Sequence, residues 1–231
     1  MASPYFFEEN PPLEGDFTVS EETSRHVSQV LRMKEGEEMI ITNGKGYTLK
    51  CTIVLADKKK TKVRITEKIF HELPQPFVAI AVSLIKNNNR FEFFAEKATE
   101  IGVSKIIPLL CKRTEKTHFK KERIKSILIS AMLQSQQSWL PEIEDPKKFN
   151  DLIKIGGYQQ KFIAHCTEDK KTELKNVANE ITSKIILIGP EGDFTNEEIE
   201  EALQQNFIPV SLGNTRLRTE TAAVVAAVLL K

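Results

Sequence analysis

The sequence predicts an α/β protein, with a parallel sheet in the larger C-terminal part and a small β-barrel domain ahead of it. Three observations carry this. From Phe77 onward, apolar runs alternate with amphipathic helical patterns, the order that builds a parallel sheet. The N-terminal part instead shows short period-two segments around an Asn-Gly turn. Between them "HELPQPF", His71 to Phe77, carries two prolines and reads as a linker. The expected domains are residues 1–72 and 73–231.

Each element has its own local reason. "SEETSRHVSQVLRM" reads as a short helix with Ser20 as N-cap and Glu21 and Glu22 in the first turn. Val27, Val30 and Leu31 give it an apolar edge. Asn43-Gly44 signals a hairpin. After it, Tyr47, Leu49, Cys51 and Ile53 alternate with Thr48, Lys50 and Thr52. Val63 and Ile65 continue the pattern beyond the charged turn Lys58 to Lys60.

Past the linker, "FVAIAVSLI" is nearly all apolar and predicts a strand buried on both faces. "RFEFFAEKATEIG" predicts a helix with Phe91, Phe94, Ala98 and Ile101 on one side and Gly102 at its C-terminal turn. "VSKIIPLL" is a strand, and the basic stretch Lys112 to Gln137 is helical from about Lys120. "KFIAHC" and "KIILIG" are strands, with a helix, "ELKNVANEI", between them. "TNEEIEEALQQN" opens with Thr195 and Glu198 as a capping box. "FIPVSLG" is the last strand and "ETAAVVAAVLLK" the terminal helix.

Composition narrows the function classes. The chain has 231 residues, 40% of them hydrophobic and 28% charged, which reads as a globular protein of one large or two ordinary domains. The net charge of +1 carries no global signal for nucleic acid, but its distribution is uneven. Leu84 to Lys125 holds eleven Lys/Arg against five Asp/Glu. That excess fits either a solvated helix face or a phosphate-facing surface. Cys51, Cys111 and Cys166 are odd in number and far apart, and the four histidines have no ligand spacing, so neither a disulfide framework nor a metal site is expected. "MASPYFFEENPP" does not resemble a signal peptide, and no apolar run approaches the roughly 20 residues that span a bilayer. No membrane partner is expected, and the expected setting is cytoplasmic.

Two stretches near the C-terminus carry the chemistry. "LIGPEGDFTNEEIE" and "SLGNTRLRTETAA" each place a glycine-marked turn after a buried-looking strand. In open α/β sheets, ligands bind beyond the carboxyl ends of strands. "HCTED", His165 to Asp169, is a third such end. Gly189, Gly192 and Gly213 let backbone approach a ligand closely, although a single turn of this kind is often only a chain reversal. The stretches match neither a P-loop, nor a dinucleotide fingerprint, nor a nucleophile elbow.

Taken together, "LIGPEGDFTNEEI" and "VSLGNTRLRTETAAVVA" resemble the RsmE family of 16S ribosomal RNA uracil N3-methyltransferases, of the SPOUT class. The resemblance covers nearly the whole chain. "HVSQVLRMKEGEEMIITNGKGYTLKCTI" is similar to the family's PUA-like domain, and "RFEFFAEKATEIGVSKIIPL" and "LPEI" match its central part. The resemblance implies a SPOUT-type parallel sheet tied in a trefoil knot, with a PUA-like RNA-binding β-barrel at residues 1–72. It implies S-adenosylmethionine as cofactor and homodimerisation through the knotted domain. The implied reaction is methylation of N3 of uridine 1498 in 16S rRNA of the small subunit. Four positions depart from the family pattern. Asp193 stands at the last glycine of the usual "GPEGG", and Arg216-Leu217-Arg218 stands where "ILR" is common. Tyr5 replaces a basic residue, and "LQSQQSW" lacks a usual arginine.

The resemblance also implies site residues. Ile188, Gly189, Pro190, Glu191 and Gly192 of the first turn are the expected cofactor contacts, with Leu212 and Gly213 of the second. Leu217, Arg218, Thr221 and Ala222 complete them. A sulfonium donor needs no protein nucleophile or metal, so the protein must align the acceptor and help remove its proton. Arg218 is the candidate to stabilise the anion spreading over uracil O2 and O4, with Arg216 second. An ion pair with Glu220 is the structural alternative for Arg218. Glu191 or Glu220 could accept the proton, orient Arg218 or cap a helix. Thr219 and Thr221 could cap the last helix or donate to a cofactor carboxylate. Arg32, Lys58, Lys59 and Lys60 are expected on RNA phosphates, together with Arg90, Lys112, Arg113, Lys120 and Lys121. The small residues of the terminal helix fit either its own core or a dimer face. Two other functions stay open: a SPOUT methyltransferase for another RNA, such as a tRNA, and a non-catalytic RNA-binding assembly factor of the same fold. An unrelated α/β enzyme would lack the paired turns.

Overall fold

The structure is a computed structural model that describes residues 3–166, 171–178 and 182–231. The chain packs as two compact units. One is Met1–Leu73 with Met132–Leu140, and the other is Pro74–Ala131 with Pro141–Lys231.

The first unit is a curled five-stranded sheet. Its strands are β1 (Tyr5–Phe7), β2 (Asp16–Thr18), β3 (Glu38–Thr42), β4 (Tyr47–Leu55) and β5 (Lys62–Phe70), in the order β1-β3-β4-β5-β2. The short strands β1 and β2 at its edges were not foreseen. Helix α1 (Glu21–Arg25) starts where expected, with the Ser20 hydroxyl accepting from the Thr23 N–H at 3.2 Å. It runs on into a π-helical turn, His26–Val30. Val27, Met39, Ile41, Leu49, Cys51, Ile53 and Val63 form the core, so the period-two reading holds from Leu49 to Ile53 and at Val63, whereas Thr48 is buried and Tyr47 only half-buried. The Lys58–Lys60 turn is built by Asp57, whose Oδ1 accepts from the N–H groups of Lys59 and Lys60. Those two bonds hold its carboxyl below the usual carboxylate range. The segment Met132–Leu140 joins this unit through Trp139, whose indole N–H donates to the carbonyls of His71 and Glu72.

The second unit is an all-parallel sheet. Its elements in chain order begin with β6 (Val78–Ser83), α2 (Asn88–Ile101), β7 (Lys105–Leu110) and α3 (Lys121–Gln134). Next come β8 (Glu142–Ile143), β9 (Lys147–Lys148), α4 (Phe149–Leu152) and β10 (Gln160–Ala164). Then follow β11 (Thr172–Glu173), α5 (Leu174–Val177), β12 (Lys184–Ile188), α6 (Asn196–Gln204), β13 (Ile208–Ser211) and α7 (Thr219–Leu230). The strand order is β11-β13-β10-β12-β6-β7-β8, with β9 also on β7.

Every residue of β6 and β12 is buried, as their unbroken apolar runs require. Ala79, Ala81, Ile185 and Leu187 face a core closed by α4 and α6. Helix α7 packs on β6, β12 and α2. Burying a side chain such as Ile80 or Phe94 stabilises the fold by roughly 1.5–3 kcal/mol each.

Two helix-end signals are kept, whereas of the apolar edge expected in the first helix only Val27 is buried and Val30 and Leu31 are exposed. Gly102 ends α2 in the left-handed conformation. Thr195 and Glu198 make the capping box of α6, worth about 1 kcal/mol. Lys184 is buried, and its ammonium donates to the Leu230 carbonyl at 3.0 Å, a positive charge at the negative end of α7. The helix expected over "ELKNVANEI" spans only Leu174–Val177, and residues 179–181 lie outside the described residues.

The C-terminal segment doubles back over the sheet. Strand β13 lies outside β10, whereas α7 returns past β12 to β6.

Ala223, Ala226 and Ala227 are fully buried within the single chain. The small residues of α7 therefore serve its own close packing, and Val228 is the apolar residue it leaves exposed.

Candidate active site

Parallel strands β10, β12 and β13 are neighbours in register, so their carboxyl ends open at one edge. A cleft with two lobes lies there. The first lobe, about 290 Å³, is lined by Ala164, Cys166, Ile188 to Glu191, Asp193, and Arg216 to Thr219 with Ala222. The second, about 330 Å³, shares Ala164, Cys166, Arg216, Leu217 and Ala222 and adds His165, Lys171 and Val210 to Thr215. Together they form an elongated groove with an apolar floor and a charged rim.

The two turns are open for different reasons. At Gly213, φ is +126°, and a Cβ there would meet nothing within 4 Å. Backbone conformation, not space, demands glycine. At Gly189 space decides, because a Cβ would sit 3.1 Å from the Phe194 ring. The Thr219 hydroxyl donates to the Gly189 carbonyl at 3.1 Å and so ties the start of α7 to the end of β12.

The segment after β7 braces the first turn from outside. Arg113 Nη1 donates to the carbonyl oxygens of Gly192 at 2.6 Å and Phe194 at 3.3 Å. The Lys112 N–H donates to Glu198 Oε1 at 2.8 Å, while Glu198 Oε2 accepts from the Thr195 N–H.

Of the expected cofactor contacts, Ile188, Gly189, Pro190, Glu191, Leu217, Arg218 and Ala222 line the first lobe, and Leu212 and Gly213 line the second. Gly192 and Thr221 do not. The Gly192 carbonyl turns to Arg113, and its Cα faces the same side chain. Thr221 is exposed, two residues along α7 from Thr219 and hence on another face, whereas Ala222 at the third residue shares the face of Thr219. Neither threonine caps α7, since the N-cap is Arg218 and no side chain bonds there.

Arg218 is exposed and has no ion-pair partner among the described residues. Its expected alternative, an ion pair with Glu220, is not formed. Glu220 is buried, with Oε1 3.6 Å from Arg90 Nε and, among the described residues, no hydrogen-bond partner for Oε2. Glu191 lies on the cleft wall, and Glu220 does not.

Sequence reasoning did not name Ala164, Cys166 or Asp193 as lining residues, although Cys166 lies in the strand end "HCTED"; Thr219, a candidate donor to the cofactor, does line the first lobe. The signal for Ala164 and Cys166 was present, since they end β10 as Ile188 ends β12. Thr167 to Asp169 of "HCTED" lie outside the described residues.

The expected RNA contacts divide by environment. Arg32, Lys58, Lys59, Lys60 and Lys120 are exposed. Lys112 and Lys121 are paired with Glu197 and Asp145, Arg90 with Glu220, and Arg113 serves the turn. Burial pushes the Cys51 thiol up to about 12 and raises that of Cys111 further, so Cys166 is the one exposed thiol.

The RNA methyltransferase domain family matches residues 71–231, and the RNA methyltransferase PUA domain family matches residues 19–66. A protein named ribosomal RNA small subunit methyltransferase E, from Buchnera aphidicola, is 32% identical over 98% of this chain and 91% of its own length.

The chain belongs to the ribosomal RNA small subunit methyltransferase E family.

It is a methyltransferase, and its relatives span nearly its full length. The namesake from Rickettsia conorii is 30% identical over 87% of this chain and 83% of its own. The crystal structure of a probable rRNA-methyltransferase from Porphyromonas gingivalis matches with a TM-score of 0.91 at 32% identity, covering 97% of this chain and 95% of that one. A putative methyltransferase from Legionella pneumophila, solved with the bound cofactor SAM, matches with a TM-score of 0.88 at 28% identity, covering 100% and 97%. No helix of the described residues is long and apolar enough to cross a membrane.

Proposed function

We propose that this chain uses S-adenosylmethionine to methylate N3 of a uridine in 16S ribosomal RNA, at the position numbered 1498, within the small subunit. The observation that carries the reading is the two-lobed cleft where the turns after β12 and β13 converge on the end of β10. Its apolar floor and charged rim suit a ligand with a flat nucleoside part and a zwitterionic tail. The Legionella relative, which binds this cofactor, supports the choice.

The backbone at Ile188–Glu191 and Leu212–Gly213 would hold the cofactor, with Ala164, Leu217 and Ala222 against its apolar parts. When bound, S-adenosylmethionine supplies a methyl group already activated on sulfur. Arg218, on the rim and without an ion-pair partner among the described residues, stabilises the uracil anion as N3 loses its proton. Glu191, on the cleft wall, is the better placed proton acceptor. Glu220, buried against Arg90, orients that arginine. Since N3 lies on the pairing edge, the uridine must be unpaired or flipped out. Arg32 and Lys58 to Lys60 of the PUA-type unit, with Lys120, supply phosphate contacts; their exposure supports this. A homodimer through the α7-bearing unit, with exposed Val228 at its face, and a cytoplasmic setting complete the proposal.

Cys166 reports on the cofactor without any RNA. It lines both lobes and is the one exposed thiol, so a thiol reagent should label it first in the native protein. Saturating S-adenosylmethionine should slow that labelling about tenfold or more. Unchanged labelling would place the cofactor elsewhere. Transfer of labelled methyl groups to small subunits, compared with transfer to tRNA, tests the substrate class. Equal or greater transfer to tRNA would favour a different target.

A further inference from the structure

Asp193 holds the position where the resembled pattern has glycine, and its backbone explains why. Its φ is +63°, in the left-handed region that glycine enters freely and aspartate tolerates. Aspartate brings something glycine lacks. Both of its carboxylate oxygens accept hydrogen bonds from backbone: Oδ1 from the Phe194 N–H at 2.8 Å and Oδ2 from the Cys166 N–H at 2.7 Å. The first bond is local. The second reaches the end of β10, twenty-seven residues away in sequence. Cys166 and Asp193 both line the first lobe of the cleft. The carboxylate thus joins two walls that otherwise belong to separate strand ends. Arg113 braces the same turn from its other side through the Gly192 and Phe194 carbonyls. The Pro190 carbonyl also accepts from the Asp193 N–H at 2.9 Å, a bond that any residue here can make.

We propose that Asp193 is a positioning residue whose carboxylate clasps the β10 end to the turn after β12 and so fixes the spacing of the cofactor cleft. This rests on the reading that the cleft holds S-adenosylmethionine. Charge-assisted bonds to a carboxylate are the stronger kind, and both donors here are the chain's own backbone. A clasp of this kind lowers the cost of ordering the site on binding.

Three variants of the full chain separate the carboxylate from the backbone. Asp193→Gly frees the backbone and removes both acceptors. Asp193→Ala removes them and also strains the positive φ. Asp193→Asn keeps one acceptor oxygen. Amide hydrogen exchange on the cofactor-free protein, with kcat and KM for S-adenosylmethionine on small subunits, gives the readouts. If the clasp positions the cofactor, Asp193→Gly should speed exchange at the Cys166 amide about tenfold and raise KM for S-adenosylmethionine by a similar factor, with kcat little changed. Asp193→Asn should fall between Asp193→Gly and the wild type. Wild-type exchange and wild-type KM in Asp193→Gly would overturn the proposal, because backbone freedom alone would then suffice. Faster exchange with an unchanged KM would overturn the positioning role. Faster exchange in a protein whose parent does not use S-adenosylmethionine would support the clasp and defeat the cofactor reading instead.

Discussion

Arg218→Ala should lower kcat about a hundredfold while changing KM for S-adenosylmethionine far less. Arg218 sits at the N-cap of α7, between a glycine turn and the last helix, on the rim of the first lobe. Its side chain has no ion-pair partner among the described residues, so truncation leaves no buried charge behind. Loss of one such preorganised donor is worth on the order of 3 kcal/mol, or roughly a hundredfold in rate. Arg218→Lys should restore only part of this, because a point charge cannot face two oxygens as a planar fork does. If Arg218 were structural, the alanine variant would lose thermal stability and cofactor affinity together. A folded Arg218→Ala protein with near-normal kcat would end the catalytic assignment and move attention to Arg216, which lines both lobes.

Gly213→Val should weaken S-adenosylmethionine binding by at least about a hundredfold, since a β-branched residue at strongly positive φ costs several kcal/mol or forces the turn to move. Among the described residues nothing lies within 4 Å of a Cβ at this position, so the strain falls on the backbone of the turn. The far-ultraviolet circular dichroism should therefore be unchanged while calorimetric titration shows little binding. The change at Gly189 would act differently, because there a Cβ meets the Phe194 ring and the packing of the turn gives way. Wild-type affinity in Gly213→Val would remove the second turn from the cofactor site.

Much of this was readable from the chain, and the parts that were not share a cause. Strands β6 and β12, helix α2 and the α6 capping box each carry a signal inside one short window, either a period, an apolar run or a cap. Strands β8, β9 and β11 are two residues long and hold no period at all. The turns after β12 and β13 were visible as a candidate site because glycine and strand ends are local features. The Asp193–Cys166 clasp and the Arg113 brace were not, since their partners lie 27 and 79 residues away. Arg113 therefore read as one more cation in a basic stretch. The packing of Met132–Leu140 on the PUA-type unit was hidden for the same reason. Trp139 finds its acceptors at His71 and Glu72, far back in the chain. A truncation that removed the N-terminal strands would take away Phe70, whose ring meets Trp139 edge-on at 6.3 Å, so single-residue variants are the cleaner probes of that unit.

The most direct measurement takes small ribosomal subunits from cells lacking this methyltransferase and treats them with the purified protein and S-adenosylmethionine. Mass spectrometry of the digested 16S rRNA then identifies the modified nucleotide and its position. The account predicts 3-methyluridine at position 1498, formed by the wild-type protein and nearly lost with Arg218→Ala. A methyl group on another atom or nucleotide, or none in a protein that binds the cofactor, would contradict it.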